Sequence, residues 1–377
     1  MDDSWDDSWD DIRDDIWPDR RLLDLLGIEV PILQAPMAGA NGSAMAIAVA
    51  EAGGLGALPC AMLDATKVRA EVGVFRQRTG GPLNLNFFCH TPADPDPARE
   101  AAWRARLAPY YAERGLDAAA TADAPRRMPF DHTMCAVVEE TRPEVVSFHF
   151  GLPDQALLDR VKAAGCRVLS SATTVAEARW LAERGCDAVI AQGAEAGGHR
   201  GMFLTDDVTT QAGTFALVPQ VVDAVDVPVI ATGGIADGRG VAAAFALGAA
   251  GVQVGTAYLF TPQALIADPH RAALATARDD TTALTNLFSG APARGLINRL
   301  MREIGPLSDE VPAFPTAGNA VAPLRADAEA AGSGDFSPLW SGQAAGLGRA
   351  TDAGALTRDL AADAARRLNA LVPPHRP

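Results

Sequence analysis

From residue 28 onward, short runs of β-branched and apolar residues alternate with longer stretches whose apolar positions recur three and four apart, most of them separated by Gly, Pro, Asn or Asp. A short apolar run bounded by turn formers reads as a strand, and a 3.6-residue period reads as an amphipathic helix. Eight units of this kind follow one another. The strands fall at 28–35, 55–60, 82–89, 144–150, 167–171, 187–192, 227–232 and 251–255, and helical patterns at 43–52, 65–78, 154–164, 175–184, 215–224 and 240–247. Strands such as Val-Pro-Val-Ile-Ala (227–231) show no polar alternation, which suits parallel strands buried on both faces. Parallel neighbours need crossover helices, and eight such units are enough to close a barrel. The expected fold is therefore α/β, a (β/α)8 TIM barrel over residues 21–262.

Two stretches break the rhythm. Residues 90–132 carry Thr-Pro-Ala-Asp-Pro-Asp-Pro and then a helical segment bearing Trp and Tyr; an insertion after the third strand would lie over the barrel mouth, where a lid belongs. Beyond Pro262 the pattern turns helical, becomes irregular through 306–334 and ends in a helix at about 355–371. Residues 263–377 are thus expected to form a helical extension packed on the same face. Residues 1–20 are an acidic segment with a duplicated Asp-Asp-Ser-Trp, in which Trp5, Trp9, Ile12 and Ile16 recur at helical spacing. They make either a docking stripe for the barrel or a partner, or a frayed end.

With 48% hydrophobic and 21% charged residues in a chain of 377, the composition is that of a globular protein with a large core. A net charge of −15 repels phosphate backbones and anionic lipids in the absence of a basic patch, and none is found. Neither nucleic acid nor membrane is expected as a partner, and no apolar run approaches the roughly 20 residues needed to span a bilayer. Cys60, Cys89, Cys135, Cys166 and Cys186 form no CxxC pair or metal-ligand cluster. An odd number of dispersed thiols points to a reducing, cytoplasmic setting, and no metal site is expected.

In a parallel barrel the functional groups come from the carboxyl ends of the strands. After the seventh expected strand stand Gly233 and Gly234, and after the eighth Gly255 and Thr256. Glycines there let backbone amides approach a phosphate, in the place where barrels recurrently bind one; tight βα turns would use the same glycines. No GxGxxG for a dinucleotide is present. After the sixth strand, Gly193, Gly197, Gly198 and Gly201 surround a lone histidine, His199. A solvated loop would also accept such a histidine, but its place at a strand end favours chemistry. Across the mouth, Gln34, Ala35 and Met37, with Asn84 and Asn86, would line a flat aromatic ligand without adding charge; core packing and satisfied turns are the plain alternatives. Arg200 reads as a solvated surface arginine more readily than as a group that steadies substrate oxygens.

The segments QAPMAG (34–39), GPLNLNFF (81–88), AQGAEAGGHRG (191–201), ATGGIADGRG (231–240), VQVGTAYL (252–259) and FSPLWSGQ (336–343) together resemble the nitronate monooxygenases, formerly 2-nitropropane dioxygenases, of the group with the Gly-Gly-His loop. The resemblance implies non-covalent FMN, with its phosphate at Gly233, Gly234, Gly255 and Thr256 and its ring near Ala35, Met37, Asn86, Gln192 and Gly198. It also implies His199 as the catalytic base. The implied activity is oxidation of alkyl nitronates, and of neutral nitroalkanes where a base removes the α-proton, by O2 to a carbonyl compound and nitrite. Some members carry a second histidine at the end of the fifth strand, where this chain has Ser170 and Ser171.

The FMN- and NAD(P)H-dependent enoyl-thioester reductases share a very similar Glu-Ala-Gly-Gly-His loop, with His199 then a proton donor; residues 84–90 and the FSPLW segment look more like the monooxygenase group. A binding protein without turnover has only the N-terminal tryptophans in its favour. The expected partners are a small nitro or nitronate compound and O2, with a homo-oligomer left open.

Overall fold

The computed structural model describes residues 16–94, 96–117 and 127–371; the N-terminal Trp5, Trp9 and Ile12 lie outside them. Eight parallel strands form the central sheet: β1 (Ile32–Gln34), β2 (Gly56–Pro59), β3 (Leu83–Phe88), β4 (Val145–His149), β5 (Arg167–Ala172), β6 (Ala188–Gln192), β8 (Val229–Thr232) and β9 (Gly251–Val254). Their order is β1-β9-β8-β6-β5-β4-β3-β2. Leu33 bridges Leu55 in parallel just before β2, with Leu55 N donating to Ile32 O and Gln34 N to Leu55 O, both at 3.0 Å. This closes the ring, and the fold is the expected (β/α)8 barrel.

β1, β3 and β8 begin later than the apolar pattern predicts, each behind a proline. Pro31, Pro82 and Pro228 immediately precede β1, β3 and β8, because a residue without an N–H cannot donate to the ladder, although Pro31 O and Pro228 O still accept from Val252 N and Val189 N at 3.0 Å. The run 28–31 is instead a turn in which Glu29 N and Val30 N donate to Gly53 O at 2.8 and 3.1 Å. Helices coat the ring through their apolar faces, for example Ser43–Glu51 through Met45, Ala46 and Val49, and Ala65–Arg78 through Val68, Val72 and Phe75. The contact is close: a Cβ at Gly56 would stand 2.2 Å from Ala46 O.

The segment after β9 divides in two. The helix Ala353–Leu371 returns to the ring wall and buries Leu356, Leu360, Ala361, Ala364 and Ala365. It lies so near the helix Gly238–Ala246 that a Cβ at Gly238 would meet Asp363 Oδ2 at 2.4 Å, and Tyr258 Oη bonds Thr357 Oγ1 at 2.7 Å. The intervening chain and the insertion after β3 build a second layer. Helix Pro97–Glu113 packs on helix Gly318–Ala330 around a separate apolar cluster that includes Trp103, Leu107, Tyr111, Leu300, Leu324 and Phe336. Its polar edges are tied to backbone, with Trp103 Nε1 donating to Ala317 O (3.2 Å) and Tyr111 Oη to Ala320 O (2.7 Å). A small antiparallel sheet joins the layers: β10 (Thr282–Thr285) pairs β11 (Ala293–Leu296), which pairs β7 (Gly198–His199).

Candidate active site

The carboxyl ends of the barrel strands surround a cavity of about 320 Å³, and Ala35, Met37, Asn86, Gln192, Gly198, His199, Gly233, Gly234, Gly255 and Thr256 all line it. Ten of the residues singled out from the sequence are thus brought to one place, whereas Gln34 and Asn84, also expected to line a flat ligand, are buried behind the wall, Gln34 Oε1 accepting from Ala57 N at 2.9 Å. His149, Arg127 and Trp340 line it too.

The glycine-rich loop after β6 is shaped by three attachments. Gln192 grips it from both ends of its amide, with Oε1 accepting from Gly201 N at 2.7 Å and Nε2 donating to His199 O at 3.0 Å. Gly198 and His199 then form β7, in register with Arg294 and Ala293. Gly198 has φ +73°, and a Cβ at Gly197 would lie 2.5 Å from Gly342 N, so these positions demand glycine for conformation and for clearance respectively. A two-residue strand leaves no period in the sequence, and β7 was not foreseen.

Arg200 overturns its reading as a solvated arginine. It is 1% exposed, and its guanidinium donates to Gln192 O (2.6 Å), Gly193 O (2.5 Å) and Gln211 Oε1 (2.9 Å). These acceptors are mostly backbone carbonyls, which any residue supplies, so no side-chain signal announces them.

His199 stands among rings. Trp340 lies 5.4 Å away, Phe314 5.5 Å, Phe150 6.1 Å and Phe88 6.3 Å between centroids. Burial holds its pKa well below the ordinary 6.5, assisted by the positive charge of Arg127 and by His149 and His90. The imidazole is therefore neutral at neutral pH and available as a base. Its Nε2 is 2.8 Å from Ser289 Oγ. Since Ser289 Oγ donates to Ala291 O (3.3 Å), Nε2–H is the donor in this arrangement and Nδ1 keeps the lone pair.

His149, which ends β4, was missed by the sequence reading although it stands at a strand end. Its Nε2 lies 3.1 Å from His199 O and its Nδ1 3.1 Å from Ser171 Oγ. A carbonyl can only accept, so Nε2 carries the proton and Ser171 donates to Nδ1. Burial pulls the His149 pKa down to about 4, and Ser171 reaches it from β5.

At the ends of β8 and β9 the chain is bare of side chains. Gly233 and Gly234 have φ of +114° and +72°, and a Cβ at Gly233 would crowd Thr214 Oγ1 at 2.9 Å and Ala196 N at 3.0 Å. Glu195, the nearby acid, turns its carboxylate away to Thr214 N at 2.8 Å and Thr214 Oγ1 at 2.9 Å. Exposed backbone amides without a facing carboxylate suit a phosphate, and apolar Ala35 and Met37 with the amides of Asn86 and Gln192 suit a flat ring system. The residues present fit FMN. Among the described residues no cluster of three His, Cys, Asp or Glu side chains is placed to hold a metal, and no helix is long and apolar enough to cross a membrane.

Comparison with known proteins agrees with this geometry. The sequence model of a family described as nitronate monooxygenase matches residues 19–363. The chain is 42% identical over 348 residues to a nitronate monooxygenase of Pseudomonas aeruginosa, covering 90% of this chain and 97% of that one. It is also 42% identical over 343 residues to a nitronate monooxygenase of Paraburkholderia phytofirmans, covering 90% and 94%. Among solved structures it is similar to a nitroalkane oxidase from Streptomyces ansochromogenes, with a TM-score of 0.84 and 39% identity over 93% of this chain and all of that one. FabK from Thermotoga maritima is less similar, at TM-score 0.70 and 28% identity over 93% of this chain and 97% of that one.

Proposed function

The chain belongs to the nitronate monooxygenase family, and from that premise we propose that it uses FMN to oxidise alkyl nitronates with O2, giving a carbonyl compound and nitrite. The observation that carries this reading is a neutral His199, ringed by aromatic side chains, in the same cavity as the glycine cradle after β8 and β9. FMN, when bound, supplies the electron acceptor for the electron-rich nitronate carbon.

The chain's own residues supply placement and proton handling. The backbone at Gly233, Gly234, Gly255 and Thr256 would hold the phosphate, with Ala35, Met37, Asn86, Gln192 and Gly198 around the ring. Phe88, Phe150, Phe314 and Trp340 keep water from the reacting carbon. A substrate that arrives as a neutral nitroalkane gives its α-proton to Nδ1 of His199, and the Ser289 hydroxyl stabilises the resulting imidazolium through Nε2–H. Ethyl nitronate offered to the purified protein in air should yield acetaldehyde and nitrite with uptake of O2, and heat denaturation should release FMN. Release of FAD, or ethyl nitronate left intact, contradicts the proposal.

A further inference from the structure

Arg127 stands where the insertion returns to the barrel, three residues before Phe130, whose amide donates to Phe88 O at the end of β3 (2.7 Å). It lines the same cavity as His199, and the other charged side chains lining it are Arg325 and Glu329. Glu329 is already engaged, its Oε1 accepting from Arg325 Nε at 2.8 Å and from Ser337 Oγ at 2.7 Å. The lining histidines His149, His199 and His270 are kept neutral by burial. No carboxylate among the described residues offsets Arg127; the charge it feels is that of Arg325, and burial with that repulsion lowers its pKa. An uncompensated guanidinium in a partly dry cavity is costly unless an anion meets it, and it is notable in a chain whose net charge is −15.

Its position fixes which anion. His199 and His90 both feel its charge, and in the ring order β3 lies across the barrel from β8. Arg127 is thus anchored beside the end of β3 and within electrostatic reach of the imidazole. We propose that Arg127 is the cavity's anion-recognition residue, binding the negative group of the substrate: the nitronate oxygens, or a carboxylate carried further along the molecule. Both groups present two oxygens to the fork of a guanidinium. The proposal rests on the nitronate reading for the nature of the substrate.

The test is anaerobic calorimetric titration of the full-length protein, with any bound flavin first reduced by dithionite so that no electron transfer follows binding, in wild type, Arg127→Gln and Arg127→Lys, with ethyl nitronate, 3-nitropropionate and nitroethane. Loss of a charge-assisted contact should weaken anion binding roughly ten- to hundredfold in Arg127→Gln, Arg127→Lys should recover part of it, and nitroethane should bind all three alike. Weakening confined to ethyl nitronate assigns Arg127 to the nitronate, and weakening confined to 3-nitropropionate assigns it to the carboxylate. Equal affinities of wild type and Arg127→Gln for both anions overturn the proposal. Anion binding that depends on Arg127 in a protein that forms no nitrite would instead sink the oxidation reading and leave the recognition role in place.

Discussion

At His199 the ring is enclosed by Trp340, Phe314, Phe150 and Phe88, and its one polar side-chain contact among the described residues is Ser289, so burial decides its charge. A neutral base matters only while a proton remains to be removed. His199→Asn should lower kcat/KM for nitroethane by roughly 10² to 10⁴, the usual worth of a positioned general base, while ethyl nitronate, already deprotonated, should lose far less. Steady-state kinetics on both substrates checks this, and equal losses would make His199 a binding group. The histidine itself was legible because glycines isolate it at a strand end. Ser289, Phe314 and Trp340 were not singled out around it, since they reach it from 90 or more residues away, and only tertiary packing of the second layer brings them there. Arg200 was misread for a related reason: carbonyl partners leave no trace in side-chain pattern.

Among the elements, the barrel strands announced themselves through apolar runs and the turns through glycine, while the starts of β1, β3 and β8 were set by prolines that the apolar count ignored. The strand β7 needed β11 to exist at all. The turn after β8 carries the most direct test of an element. At Gly234 a new side chain would stand 3.4 Å from Glu195 Cβ on a backbone with φ +72°, and an aspartate would add a second negative charge beside the proposed phosphate. Gly234→Asp should therefore purify without flavin while keeping the circular dichroism of the wild type, because the strands around it are unchanged. Full flavin occupancy would show that the phosphate lies elsewhere.

On the scale of the whole molecule, the closed barrel was readable from eight repeated units, whereas the shared core of the insertion and the segment after β9 was not, since its halves are separated by most of the barrel. That second layer also buries titratable groups. His90, His149 and His270 are pulled down to about 4 by burial, and His199 is lowered as well. In the unfolded chain His90, His149 and His270 each take up a proton near pH 6.5, whereas in the folded chain they do not until about 4. The unfolded state thus holds more protons across that window, so stability falls as pH drops from 6.5 toward 4 and is unaffected by these groups above it. For His270, 8% exposed, the slope is up to about 1.4 kcal/mol per pH unit. Urea titrations at several pH values should show His270→Gln losing that share of the slope, and an unchanged slope would mean that the ring is protonated in the fold.

For the proposed oxidation the cavity must place a nitronate against an oxidised flavin. Mixing the purified protein with ethyl nitronate under strict exclusion of oxygen and following the visible spectrum tests that requirement most directly. The flavin absorption should be lost on the addition of ethyl nitronate and return on admission of air, with nitrite appearing in solution. A spectrum that nitronate leaves unchanged, but that NADPH alone bleaches, would contradict the assignment.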